Sequence, residues 1–302
     1  MADLDLAFVG LGGMGSRLAK RLLNSGYRMT GYNRTAKKAQ DLAYMGMRVV
    51  ATPREAAAAA DVVFTMVSDN AALIAVTLGP DGVVAGLRKG AILVEMSTVG
   101  PDVTRHLGEV VAARGASMLD APVSGSTVSV EQGASSIQVG GDINVLERVR
   151  PYLSAMGPNG ITHVGPLGMA KAMKVATNLG VAVQIMAFCE AVALAEKSGI
   201  RREVAVDALM RSVIASPLVK YRGPFVVGKM AEHAKFVVPM IQKDLKLALD
   251  QGEEVGAPLP LTTLAQEWLT KASEMGLGEH DFAVVFDVFA KMAGLPPAPK
   301  SA

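Results

Sequence analysis

The sequence predicts an α/β N-terminal domain over residues 1–164, a mainly parallel doubly wound sheet with helices on both faces, joined by a long helix at about 168–199 to an all-α domain over 165–302. Three observations carry this. Short apolar strand patterns alternate with helical ones from Leu6 to Val164, that alternation stops near residue 165, and an almost uniformly apolar helical run follows with no convincing strand after it.

The first strand, Leu6-Ala7-Phe8-Val9, runs into Gly10-Leu11-Gly12-Gly13-Met14-Gly15, and the helix behind it carries Leu18, Leu22 and Leu23 to a stop at Gly26. Strand, glycine turn and helix follow in the order a dinucleotide site needs. Gly10 permits the tight turn, Gly12 lets the backbone approach a pyrophosphate, Gly15 lets the helix pack closely, and the helix N-terminus offers N–H groups to phosphate. The second strand, Arg28 to Tyr32, ends at Asn33-Arg34-Thr35, where an NAD site usually places a carboxylate for the ribose 2′-hydroxyl. Here a guanidinium stands beside a small hydroxyl residue. Arg makes forked, charge-assisted bonds to phosphate oxygens that a carboxylate would repel, so the site is expected to take NADP(H).

Further strands are expected at Arg48–Val50, Val62–Val67, Ala91–Glu95, Ser117–Leu119, Ser136–Val139 and Ile161–Val164, and helices at Pro53–Ala60, Ala71–Thr77, Asp102–Ala113 and Ile143–Ala155. The run from Gly168 to Gly199 has little polar circumference, so other helices or a second subunit should enclose it. Beyond it, Arg202–Arg211, Val238–Val255 and Leu261–Met275 read as helices, and the tail from Pro296 as poorly ordered.

Composition narrows the function classes. Thirty basic and 28 acidic residues give a net charge of +2 with no block of like charge, which points neither to nucleic acid nor to an anionic membrane. The longest apolar stretches are interrupted by Lys, Glu, Asn or Gly, and the first residues carry no basic region ahead of a separate apolar one, so a soluble cytoplasmic protein is expected. Cys189 is the only cysteine, which excludes an internal disulfide and suits a reducing compartment. His106, His163, His233 and His280 lack ligand spacing, and no metal site is expected.

Two segments carry chemistry. Asp120-Ala121-Pro122-Val123-Ser124-Gly125-Ser126 leaves a strand at the sheet edge where open α/β folds bind ligands, and the Ser124 hydroxyl with neighbouring N–H groups could hold a small carboxylate. The second, Gly165 to Asn178, sets Lys174 and Asn178 one helical turn apart on one face of the apolar helix. Partial desolvation lowers an ammonium pKa and would fit Lys174 for proton exchange, with Asn178 holding it or the substrate. Lys171 shares the face, and a solvated, snorkelling side chain is the expectation there.

The glycine turn, Asp120-Ala-Pro-Val-Ser-Gly125, Gly165…Gly168…Lys174…Asn178 and Lys243-Asp244-Leu245-Lys246-Leu247-Ala248 occur in this order over nearly the whole chain, and together they resemble the β-hydroxyacid dehydrogenase family. That family includes 3-hydroxyisobutyrate dehydrogenases, tartronate semialdehyde reductases and glyoxylate/succinic semialdehyde reductases. The resemblance implies an N-terminal Rossmann domain, an all-helical C-terminal domain and a homodimer or homotetramer built around the long helix. It implies Lys174 as catalytic acid/base with Asn178 beside it. Ser124, Gly125 and Ser126 would hold the carboxylate of a small aldehyde or hydroxyacid, with Phe236 and Asp244 completing the pocket. Leu11, Gly13 and Met14 in the glycine turn, Met66 and Val67, Thr98 near the nicotinamide ribose and Lys243 complete the cofactor set, and Asn33-Arg34-Thr35 resembles the NADP-preferring branch. Three positions depart from the family pattern: Ser126 replaces a glycine, Val130 stands where Ala is common, and Ala170 replaces a glycine. Imine reductases share the architecture but generally lack the lysine. A reductase of imines or bulkier carbonyls and a non-catalytic NADP-binding module are the competing functions.

Overall fold

Successive residues of a strand face opposite sides of a sheet, and the N-terminal core divides accordingly. Leu6, Phe8, Val62, Phe64, Ile92 and Val94 join one buried cluster with Leu18, Leu22, Leu146 and Leu153. Ala7, Val9, Val63 and Leu93 join another with Ala56, Leu73, Val83 and Leu107. Strands apolar at every position are thus covered on both faces, as a parallel sheet requires.

The computed structural model describes residues 4–229 and 236–299. Its strands are β1 (Leu6–Val9), β2 (Met29–Tyr32), β3 (Arg48–Val49), β4 (Val62–Thr65), β5 (Ile92–Glu95), β6 (Ser117–Asp120), β7 (Val123–Ser124), β8 (Ser136–Gly140) and β9 (Ile161–Gly165). They lie in the order β3-β2-β1-β4-β5-β6-β8-β7, with β9 beside β8. The first six pair in parallel, β8 runs antiparallel to β6 and β7, and β9 is parallel to β8. Strand order reverses between β1 and β4, the switch point where ligands bind beyond the carboxyl ends of the strands.

The helices in this part are α1 (Gly13–Asn24), α2 (Gln40–Tyr44), α3 (Pro53–Ala58), α4 (Asn70–Leu78), α5 (Val83–Gly86), α6 (Pro101–Ala113), α7 (Thr127–Glu131) and α8 (Ile143–Met156). They are followed by α9 (Met169–Lys197), α10 (Arg202–Met210), α11 (Pro217–Arg222), α12 (Val238–Val255), α13 (Pro260–Glu274) and α14 (Val285–Ala293). The chain divides into two units, Met1–Lys174 and Val175–Ala302, the division falling within α9. The α/β fold with a helical C-terminal part and a continuous long helix agrees with the sequence expectation. The β7 strand and the α7 helix were not expected, because two and five residues are too few for periodicity to show.

In α9, Ala182, Ile185, Phe188, Cys189 and Val192 are buried, whereas Met173 and Leu194 are exposed. The sequence suggested no stretch able to cross a membrane, yet α9 is long and apolar enough by length and composition alone. Its buried side is that of a core helix. In the second unit Trp268 tilts against Phe289 at 5.0 Å between ring centres, and the Arg202 guanidinium lies 4.5 Å over Phe286. Arg202 also donates to the carbonyls of Pro296 and Pro297, and Ala298 N–H donates to Asp287. The tail expected to be loose is therefore tied down as far as these residues. The sequence pattern missed this because the anchoring arginine lies some ninety residues away.

Candidate active site

The glycine turn has the shape a dinucleotide requires. Gly10 has φ +96°, and a Cβ there would lie 2.1 Å from the Met66 carbonyl oxygen; a Cβ at Gly15 would lie 2.0 Å from the Gly10 carbonyl oxygen. Only glycine allows β1, β4 and α1 to approach this closely. At Gly12, the N-cap of α1, and at Gly13 a Cβ would meet nothing within 4 Å, so the bare backbone there faces open space. That is the room a pyrophosphate needs to reach the helix N-terminus, and the residues fit a nicotinamide dinucleotide. Met66 and Val67 line the turn. At the β2 exit, Asn33 accepts from Leu11 N–H at 2.9 Å and donates to the Thr35 carbonyl at 2.9 Å, so its amide locks the glycine turn to the Arg34 loop. Arg34, Thr35, Lys37 and Lys38 are exposed there.

Thr65, Glu95 and Asp120 stand in register at the carboxyl ends of β4, β5 and β6, each fully buried. Buried charges need partners, and α9 supplies them. Asp120 accepts the N–H groups of Gly168 at 2.8 Å and Lys171 at 2.9 Å, capping α9 in place of a local side chain. Lys171 Nζ lies 2.5 Å from Glu95 Oε2 and donates to the carbonyls of Glu95 and Ser97 at 3.0 and 2.6 Å. Glu95 Oε1 accepts from Ser97 N–H at 2.7 Å, and Ser97 Oγ accepts from Val67 N–H at 2.8 Å. The solvated Lys171 expected from the sequence is thereby corrected: it is 0 % exposed, because a buried carboxylate and two carbonyls await it at the sheet edge. Glu95, Ser97 and the capping role of Asp120 escaped sequence reasoning. An acid closing the apolar strand Ile92–Glu95 and a lysine opening an apolar helix were the available signal. Lys174, one turn further along α9, is 9 % exposed, and Thr98 follows Ser97 at the β5 exit.

Ser124 ends β7, opposite Ser136 of β8. Gly125 takes φ +143°, and a Cβ there would press on Ser129 and Ser135. The Ser126 hydroxyl accepts from Ser129 N–H at 3.1 Å while Ser126 N–H donates to Ser129 Oγ at 3.1 Å, a reciprocal cap on α7. The serine that replaces a family glycine therefore has a local structural use. Ser126→Ala is expected to lower unfolding stability by about 1 kcal/mol, read as a shifted urea midpoint; an unshifted midpoint would mean that the cap contributes nothing. Val130 and Ala170, the other departures, are buried, Val130 in the first core cluster.

In the second unit Asn178 and Asp244 are buried, and Asn178 Nδ2 donates to Asp244 Oδ2 at 2.5 Å, joining α9 to α12. Lys243 Nζ lies 2.9 Å from Asp244 Oδ1. Phe236 donates its N–H to Asp281 at 2.9 Å and sets its ring edge-on to Phe282, and Asp281 pairs with the buried Arg222. Cys189 is enclosed, and burial pushes its thiol up and disfavours the thiolate. Among the described residues no group of His, Cys, Asp and Glu is placed to hold a metal ion, and His233 lies outside them.

Comparison with known proteins agrees with this architecture. Residues 5–165 match the family described as the NAD binding domain of 6-phosphogluconate dehydrogenase, and residues 168–289 match the NAD-binding domain of NADP-dependent 3-hydroxyisobutyrate dehydrogenase. The chain is 31% identical over 97% of its length to 2-(hydroxymethyl)glutarate dehydrogenase of Eubacterium barkeri, covering 97% of that protein. It is 30% identical over 95% of its length to the chloroplastic glyoxylate/succinic semialdehyde reductase 2 of Arabidopsis thaliana, covering 80% of it. Mycobacterium tuberculosis 3-hydroxyisobutyrate dehydrogenase, solved with L-serine, superimposes with a TM-score of 0.82 at 29% identity, over 94% of this chain and 98% of that one. Glycine turn, strand order and relatives together define an oxidoreductase that uses a nicotinamide cofactor. The chain belongs to the β-hydroxyacid dehydrogenase family.

Proposed function

We propose that this protein is an NADP(H)-dependent enzyme that interconverts a small β-hydroxyacid and its semialdehyde or oxoacid. The observation that carries the proposal is the buried Lys174, one turn ahead of Asn178 on α9. Burial strengthens the attraction between an ammonium and a substrate oxygen that reaches it. The nicotinamide, when bound, supplies the hydride in reduction and accepts it in oxidation. Lys174 Nζ donates a proton to the carbonyl oxygen as the hydroxyl forms and takes one back in the reverse direction. Ser124 and the backbone at Gly125 and Ser126 hold the substrate carboxylate. Asn178, one turn along the same helix and fixed by Asp244, is the neighbour of Lys174 on α9. Gly10 to Gly15, Met66, Val67 and Thr98 hold the dinucleotide, and Asn33, Arg34 and Thr35 its 2′-phosphate.

NADPH oxidation is to be followed with glyoxylate, succinic semialdehyde, tartronate semialdehyde, methylmalonate semialdehyde and a cyclic imine. Turnover is expected with at least one carboxylate-bearing aldehyde. Turnover of the imine alone would assign an imine reductase, and NADPH binding without any turnover a binding module. The exposed apolar residues Met169, Met173 and Leu194 on α9 support a homodimer or homotetramer, which sedimentation equilibrium reads directly. A cytoplasmic location is part of the same proposal, supported by the single buried cysteine.

A further inference from the structure

The ion pair of Lys171 with Glu95 is a poor means of holding a helix on a sheet. Both charges are stripped of water, and apolar residues of similar volume hold such a contact as well or better. What an ion pair adds is direction. One ammonium faces three acceptors, the Glu95 carboxylate and the carbonyls of Glu95 and Ser97, and these fix both the rotation and the rise of the first turn of α9. Asp120 fixes the same turn from the neighbouring strand through two backbone N–H groups. The acceptors are also tied back toward the cofactor turn, through Ser97 N–H to Glu95 and Val67 N–H to Ser97. All of these residues, and Lys174 with them, lie in the first unit.

We propose that Lys171, through Glu95, is a positioning residue for the reaction: it sets where Lys174 stands relative to Ser97-Thr98 at the β5 exit and to the dinucleotide turn behind it. This rests on Lys174 being the acid/base. Lys171 touches neither substrate nor cofactor; it acts by keeping the first turn of α9 from sliding or rotating along the strand ends. A displacement of about 1 Å at a reacting group costs on the order of a hundredfold in rate.

The test is a cycle of variants. Lys171→Met and the neutralised pair Lys171→Met/Glu95→Gln are each made in wild-type and in Lys174→Ala protein, and single-turnover rates and NADPH affinity by fluorescence are measured. In the wild-type background the rate should fall by about 30-fold or more while the NADPH Kd stays within about threefold. In the Lys174→Ala background the same changes should lower the residual rate by less than about twofold, because what Lys171 positions is already gone. In the cofactor-free protein, amide exchange across residues 168–175 should quicken. If Lys171→Met does not fold, Glu95→Gln, which keeps size and one acceptor, takes its place in the cycle with an expected loss of about tenfold. A rate within twofold of wild type, or losses that multiply in the Lys174→Ala background, would overturn the proposal. Near-normal turnover by Lys174→Ala alone would instead remove the acid/base assignment beneath it.

Discussion

Lys174→Ala lowers kcat by a factor on the order of 10² to 10⁴ while the NADPH Kd changes by less than about threefold, the first checked by steady-state oxidation of NADPH and the second by fluorescence titration. The split follows from the division of labour in the first unit. In the proposed reaction the pyrophosphate is met by the glycine turn and the N-terminus of α1, well before Lys174 in the chain, whereas the lysine meets the carbonyl oxygen only as it takes on negative charge. Lys174→Arg distinguishes proton transfer from charge alone. A guanidinium keeps the positive charge but does not release a proton near neutral pH, so this variant should stay close to Lys174→Ala. Recovery of most of the activity with Arg would mean that the ammonium serves as a fixed charge and that the proton comes from elsewhere.

Arg34→Ala is expected to reduce the preference for NADPH over NADH by about tenfold to a hundredfold, since bonds between charged groups are worth about 1.5–3 kcal/mol each. The lower end is favoured by the setting. Arg34 is exposed, and Lys37 and Lys38 are exposed on the adjoining 3-10 helix Ala36–Ala39, where they would share attraction for the proposed 2′-phosphate. Screening by salt should therefore narrow the preference of wild-type protein as ionic strength rises, and of Arg34→Ala less so. The ratio of kcat/KM for the two cofactors, taken at low and high salt, reads both effects. An unchanged ratio in Arg34→Ala would make the arginine a bystander and remove the physical basis for NADP(H).

Much of this was legible in residue order, and the parts that were not share a cause. Strands such as Val62–Thr65 and Ile92–Glu95 and helices such as α12 show in the sequence because their periodicity is local. The glycine turn shows because each glycine answers a separate steric demand that the structure confirms at Gly10 and Gly15. Lys171 was misread because a lysine near the start of a helix is ordinarily solvated, and only the pairing of β5 with α9 reveals the buried Glu95 that claims it. The capping use of Ser126 did not show in the sequence because the helix that it caps, with Ser129 reciprocating, is only five residues long. Pro296 to Ala298 lack any local signal, and they are tied down by Arg202 and Asp287. In each case a side chain's meaning depends on a partner from another element.

The central claim, hydride transfer to a carboxylate-bearing aldehyde assisted by Lys174, is tested most directly by isotope transfer. Wild-type protein and Lys174→Ala are incubated with NADPH deuterated at nicotinamide C4, on the face that transfers and separately on the other, together with the best aldehyde of the panel, and the hydroxyacid is analysed by mass spectrometry. The expected result is a hydroxyacid carrying one deuterium at the carbinol carbon from one face only, formed by the wild type and reduced by at least about a hundredfold in Lys174→Ala. Binding of NADPH with no labelled hydroxyacid from any aldehyde, or equal labelling by both proteins, would contradict it.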